Sequence, residues 1–206
     1  MSEYLIQDTT LTAIADAIRE KTGGTDQMTP DQMATEISNI QASGGGDDSS
    51  LKGIIERTVT NPTLPGDLTK IGNYVFYYYT SLNLACLPEG ITSIGDYAFA
   101  YCKNLALTSL PAGITIIGMD AFHNCTNLAL TSLPAGITIV NNNSFNGCTG
   151  LTSITFEGTP TEKIASNAFK GCTNLTSINV PWAEGAVANA PWGATNATIN
   201  YNYTGE

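Results

Sequence analysis

Between residues 68 and 180 the apolar positions fall into columns that repeat every 23 residues. Phe76, Phe99, Phe122 and Phe145 are each 23 apart, and Phe169 follows after 24. Three residues beyond each Phe stand Tyr79, Cys102, Cys125, Cys148 and Cys172; six beyond stand Leu82, Leu105, Leu128, Leu151 and Leu175. Each Phe ends an Ile- or Val-bearing segment: KIGNYVF, SIGDYAF, IIGMDAF, IVNNNSF and KIASNAF. Five registers agreeing at three columns, with this period, predict a solenoid of about five coils. A unit this short cannot enclose a core by itself. Stacked units can, burying Phe on Phe, Cys on Cys and Leu on Leu in ladders along the axis. Runs such as Ile91-Thr92-Ser93-Ile94 supply short strands, which pair between coils at about 4.8 Å. Pro88-Glu89-Gly90, Pro111-Ala112-Gly113 and Pro134-Ala135-Gly136 supply corners, because Pro fixes one turn dihedral and Gly frees the next. In the fourth coil Glu157-Gly158-Thr159-Pro160 takes that place and carries the one-residue insertion.

Other patterns flank the repeat. In residues 1–42, Leu11, Ile14, Ala15 and Ile18 recur at helical spacing after Asp8-Thr9-Thr10, and Gly23-Gly24 stops the run. Thr29, Pro30 and Gln32 then form a second helix start ahead of Met33, Ile37 and Ile40. The expectation is a small helical pair. It buries too little to stand alone and serves for attachment or self-association. Residues 43–50, Ser-Gly-Gly-Gly-Asp-Asp-Ser-Ser, read as a flexible linker. Residues 51–206 read as the solenoid with its caps: an N-terminal cap up to residue 68, repeats over 68–180 and a C-terminal cap over 181–206. In the last, Trp182 and Trp192 cover the open coil, and Ile199, Tyr201 and Tyr203 share one face of a final strand.

The phrase ITSIGDYAFAYCKNL and its variant NAFKGCTNLTSI resemble the BspA-type leucine-rich repeat. The resemblance covers residues 68–180. It implies a right-handed solenoid of short strands and turns, and an extracellular binding scaffold of bacteria, their phages and some protists rather than an enzyme. Together with the helical pair, the expected class is α+β. Asn141-Asn142-Asn143-Ser144 replaces the family's Ile-Gly-x-x-Ala, so a local bulge is expected in the fourth coil. Leu107 and Leu130 stand where other copies have Thr, which leaves the inward alternation of that strand open. Residues 5–40 are similar to a short module at the start of phage tail and other structural proteins. The two resemblances together imply a tail-associated virion structural or host-adsorption protein. It would join other virion proteins, or itself, through residues 1–42, and meet a host cell-surface glycan or protein through the solenoid. The alternative is a bacterial cell-surface or secreted adhesin.

Composition narrows the partners. The net charge is −10, of which residues 1–50 carry −7, so a phosphate backbone would be repelled and nucleic acid is set aside. No apolar stretch has the length of a membrane span. The start MSEYLIQDTT lacks the apolar core of a signal peptide; the expected location is the virion, after synthesis in the bacterial cytoplasm, or else the bacterial surface. Charged residues are only 13% of the chain, so Thr, Ser and Asn must build the polar surface.

Candidate chemistry is sparse. The column cysteines have the spacing of the coil, not of a metal site, and read as buried free thiols; Cys86, outside the column, reads as exposed. His123 occupies a column that also holds Tyr77, Ala100, Asn146 and Lys170, and is expected to face solvent with no catalytic partner. No cofactor, metal or catalytic residue is assigned. What remains is a surface. Tyr74, Tyr77, Tyr78, Tyr97 and Tyr101 flank the Phe ladder at one end, and the same columns become Asp120, His123 and Asn124, then Asn143, Asn146 and Gly147. Tyr buries contact area at low entropy cost and keeps a polar tip. These tyrosines with His123 are the candidate binding surface, the competing reading being that they cover the cap junction.

Overall fold

The computed structural model describes residues 60–64 and 66–205, most of them in the compact unit Leu64–Glu206. Among the described residues, nine short strands build two all-parallel sheets. β1 (Lys70–Ile71), β2 (Ser93–Ile94), β3 (Ile116–Ile117), β5 (Ile139–Val140) and β7 (Lys163–Ile164) form one, in the order β1-β2-β3-β5-β7. β4 (Ser132–Leu133), β6 (Ser153–Phe156), β8 (Ser177–Asn179) and β9 (Thr198–Asn200) form the other, in the order β4-β6-β8-β9. Register follows the repeat: Ile94 pairs with Ile117 and Ile117 with Val140, while Val140 pairs with Ile164 across the insertion. Because Leu133 still pairs with Phe156 at 23 residues, the extra residue lies between Phe156 and Lys163, at the corner where the sequence placed it.

The interior is a set of ladders. The rings of Phe76, Phe99, Phe122, Phe145 and Phe169 stack at centroid spacings of 5.2, 5.3, 5.4 and 5.2 Å, with interplanar angles of 12° or less. All five are buried, and burying a side chain of this size stabilises by about 1.5–3 kcal/mol. Cys102, Cys125, Cys148 and Cys172 are buried free thiols beside them, and Cys86 is exposed. Each buried thiol donates to the carbonyl of the Phe one coil back: Cys102 to Phe76 at 2.9 Å, and Cys125, Cys148 and Cys172 to Phe99, Phe122 and Phe145 at 3.0 Å. Burial therefore fixes the thiols as hydrogen-bond donors rather than as disulfide partners.

Four expectations need correction. The described residues contain no helix, so the class is a β-solenoid and not α+β. The segment after each Phe turns through single local hydrogen bonds, such as Tyr79 N to Phe76 O and Leu82 N to Tyr79 O, and alternate amides leave the coil to bond its neighbour. A helix needs those amides for itself. The helical pair assigned to residues 1–42, the linker and most of the N-terminal cap lie outside the described residues. Second, the stack extends to a sixth turn, because β9 pairs with β8 through Ile178 and Ile199. That final strand is shorter than read: the chain turns at Tyr201–Asn202, and Tyr203 is exposed.

Third, the fourth coil does not bulge. β5 keeps register with both neighbours. Ser144, in the column of Ala98, Ala121 and Ala168, is fully buried and bonds the carbonyls of Asn141 and Gly118 at 2.7 and 2.9 Å. Fourth, the sixth turn is closed by aromatic side chains. Trp182 and Trp192 are buried, with ring centroids 5.3 and 6.0 Å from Phe156, and the Trp192 indole donates to Ala188 O at 2.8 Å. They cover the core, as the sequence suggested, but from inside a sixth turn instead of a cap that leaves the repeat.

Candidate functional site

The turn that carries each Phe must aim its amides along the solenoid axis. In the first coil the amides of Tyr74, Phe76 and Tyr78 donate to Asp96, Ala98 and Ala100 of the next coil, at 3.0, 2.8 and 2.8 Å. The amides of Tyr77 and Tyr79 fold back into their own turn. The first four coils each put two residues in the left-handed region, and the fifth puts only Gly171 there. One column is Tyr74, Tyr97, Asp120 and Asn143, at φ of 59°, 55°, 50° and 55°; the other is Tyr78, Tyr101, Asn124, Gly147 and Gly171, at 58°, 65°, 56°, 72° and 72°. Gly, Asn and Asp occupy this conformation readily, whereas a bulky side chain there is strained by about 1–2 kcal/mol. The later coils use the low-strain residues. The first two place tyrosine at all four positions.

The geometry gathers the whole candidate surface. Tyr74 stacks on Tyr97 (4.9 Å, 9°) and Tyr78 on Tyr101 (4.2 Å, 17°). Tyr77 stands edge-on to the rings of Tyr74, Tyr78, Tyr97 and Tyr101 at 4.7–6.2 Å. Tyr101 meets the His123 ring at 5.0 Å. All six side chains are half-buried. Stacked pairs contribute about 0.5–1.5 kcal/mol each, which offsets part of the backbone strain and locks the rings together.

Asp120 anchors the far side. It is 7% exposed and accepts a hydrogen bond from the Tyr97 side chain. Burial, reinforced by this carboxylate, raises the Tyr97 phenol above its ordinary range, so it stays protonated and keeps donating. His123 was expected to face solvent. Its Nδ1 is instead buried, 3.1 Å from Asp120 Oδ1 but off the line a hydrogen bond requires. The column varies in exposure as well as identity: Ala100 is buried, Lys170 is exposed, and Tyr77, His123 and Asn146 lie between. Among the described residues no group of three His, Cys, Asp or Glu is placed to hold a metal ion. The arrangement offers a rigid phenolic contact surface, with Asp120 and His123 as its supports.

Two apolar residues of the third coil are exposed. Met119 and Ile116 are 40% and 38% exposed. Met119 O accepts from the Tyr97 amide at 2.8 Å, and its amide donates to Asp96 Oδ1 at 2.7 Å. The signal was in the columns: Met119 stands where other coils have Asn73, Asp96 and Asn142, and Ile116 where they have Lys70, Ser93, Ile139 and Lys163.

A family model described as the BspA type leucine rich repeat region matches residues 69–184 in six copies. Among solved structures, the chain is similar to a T. pallidum leucine rich repeat protein, with 27% identity and a TM-score of 0.54 over 70% of each chain. It is also similar to a leucine-rich repeat protein from Bacteroides ovatus, with 27% identity and a TM-score of 0.52 over 60% of this chain, of whose length it spans 32%. None of the curated proteins compared with the chain matches it.

Proposed function

The chain belongs to the BspA-type leucine-rich repeat family, and from that premise we propose that it is a non-enzymatic binding protein whose tyrosine cluster contacts a host cell surface. The observation that carries this reading is the left-handed backbone at Tyr74, Tyr78, Tyr97 and Tyr101. Later coils fill the same columns with Asp, Asn and Gly, so the turn itself does not demand tyrosine. Strain kept at clustered positions is a mark of function rather than of folding. The setting we propose is a phage tail, with residues 1–42 joining other virion proteins, supported by the resemblance of residues 5–40 to modules of such proteins. A second setting is a bacterial surface or secreted adhesin; what favours it is that the similar T. pallidum and Bacteroides ovatus leucine-rich repeat proteins are bacterial.

The test is the binding of fluorescently labelled protein to cells of the producing species and its relatives. Replacing Tyr77, Tyr78 and Tyr101 by Ser is expected to reduce cell binding at least tenfold while the melting temperature shows the fold retained. Undiminished binding refutes the assignment. Mass spectrometry of purified particles separates the two settings: the chain is present in the virion in the first and absent in the second.

A further inference from the structure

We propose that Tyr78 and Tyr101 are a site of oxidative modification, at which hydrogen peroxide and a haem peroxidase join the two rings as a dityrosine. The inference goes beyond the proposed binding role and stands whether or not the same rings meet a host surface. Three observations carry it. The first is contact. The two rings lie 4.2 Å apart at 17°, the shortest ring spacing in the cluster. Their amides donate in the same way, Tyr78 to Ala100 O at 2.8 Å and Tyr101 to His123 O at 2.7 Å. Their backbones share the left-handed conformation, at 58° and 65°. Both side chains therefore leave equivalent turns in one direction. Carbons beside the two hydroxyls are brought to roughly van der Waals distance, about 3.5–4.0 Å.

The second observation is access. Both rings are half-buried and reach solvent, whereas the Phe ladder and the two tryptophans of the sixth turn are buried. The third is routing. Tyr77 stands edge-on to Tyr74, Tyr78, Tyr97 and Tyr101 at 4.7–6.2 Å, so a radical made on any ring of the cluster reaches this pair in one or two steps. The chemistry balances with peroxide as oxidant. Each phenol gives up one electron and its hydroxyl proton, and the peroxide takes both electrons and both protons to leave as two waters. The two phenoxyl radicals pair their electrons in a bond between the carbons beside the oxygens. Each of those carbons then passes its hydrogen to its own oxygen, which restores two phenols. The product ties the first coil to the second. The pair occurs at that junction alone, because the column continues as Asn124, Gly147 and Gly171. β1, in the first coil, is the end strand of its sheet, and the ends of a structure open first.

The experiment uses the full chain, with the exposed Cys86 thiol capped by a small maleimide so that it does not consume the radical. The protein is treated with a haem peroxidase and limiting hydrogen peroxide, then unfolded under reducing conditions and cleaved after glutamate. Glu89 separates the two tyrosines, so fragments 57–89 and 90–157 stay joined only through a cross-link. The expected result is a joined product lighter by two hydrogens, with dityrosine fluorescence, in the unsubstituted protein and in Tyr97→Phe. Its yield should fall at least tenfold in Tyr78→Phe and in Tyr101→Phe. Phenylalanine keeps the stacked ring, and an unchanged melting temperature before oxidation verifies the fold. Joined fragments that persist in Tyr101→Phe put the bond elsewhere in the cluster and overturn the assignment. Cross-links between chains without any within a chain overturn it too, as do separate fragments after the peroxide is consumed. The oxidised unsubstituted protein should also melt higher than oxidised Tyr101→Phe; equal melting temperatures overturn the bond's role as a tie. The cell-binding test uses unoxidised protein, so neither failure decides the other.

Discussion

If the coils stack as closely as described, a single methyl group at the right glycine should wedge them apart. Gly118 follows β3, at the end of a strand of the first sheet. A Cβ built there would lie 2.5 Å from Gly95 C, 2.6 Å from Asp96 N and 2.7 Å from Asp96 Oδ1. The first two are main-chain atoms of the previous coil and cannot swing aside. Ordinary carbon contacts begin near 3.4 Å, so the third coil would have to move by roughly 1 Å against a ladder of hydrogen bonds. Overpacking of this kind costs about 1–3 kcal/mol. The usual gain from replacing a glycine, about 0.4–1 kcal/mol, offsets only part of it. Gly118→Ala is therefore expected to lose about 1–2 kcal/mol net, a fall in melting temperature of roughly 2–8 °C for a domain of this size. Gly113 is the control: its Cβ would meet only Ile91 O at 3.6 Å and Thr92 Cγ2 at 3.9 Å. Gly113→Ala should leave the protein as stable or slightly more so. Thermal unfolding followed by circular dichroism reads both. Equal melting temperatures for the two variants would refute the close approach of neighbouring coils.

Two other outcomes follow from the interior and the closing turn. Burial holds the Cys125 and Cys148 thiols well above their ordinary range and pushes Cys172 up to about 12. The unfolded chain ionises first, so stability is complete below about pH 9 and falls as pH rises toward 12, by about 1.4 kcal/mol per pH unit for each thiol. Denaturant midpoints between pH 8 and 11 should drop accordingly, and less steeply in Cys148→Ala; a flat profile would contradict burial of the column. Trp192→Ala removes a fully buried indole that packs on Phe156 and bonds Ala188 O. It is expected to cost about 3–5 kcal/mol, whereas a change below 1 kcal/mol would show that the sixth turn does not protect the core.

The Phe, Cys and Leu ladders were legible because stacking identical coils demands the same side chain at the same column, and the sequence repeats residue identity there. The second sheet was harder to read. The first three coils put Leu84, Leu107 and Leu130 inward two residues after the column Leu, whereas the last two put Ile154 and Ile178 inward at the third. The regular alternation that makes β6 a four-residue strand, outward at Ser153 and Thr155 and inward at Ile154 and Phe156, is broken in the earlier coils. Period-2 reasoning therefore gave conflicting answers at Leu107 and Leu130. The sixth turn was missed because the residues that would carry the repeat are replaced by Trp192 and its neighbours. The tyrosine columns are legible in the sequence, but their backbone conformation is not. Tyrosine carries no left-handed preference, and only Asp120, Asn124, Asn143, Gly147 and Gly171 further along hint at one. At His123 the sequence shows that a column varies, not what packs against it, and only its Nδ1 is buried.

The central claim, that repeated columns stack into one continuous interior, is tested most directly by counting reactive thiols. The native protein is treated with a small maleimide and its mass is followed over time. One adduct should form quickly, at Cys86, with Cys102, Cys125, Cys148 and Cys172 reacting only once denaturant opens the coils. Two or more adducts appearing at the Cys86 rate in native buffer would mean that the column is open to solvent, and the stacked interior would have to be abandoned.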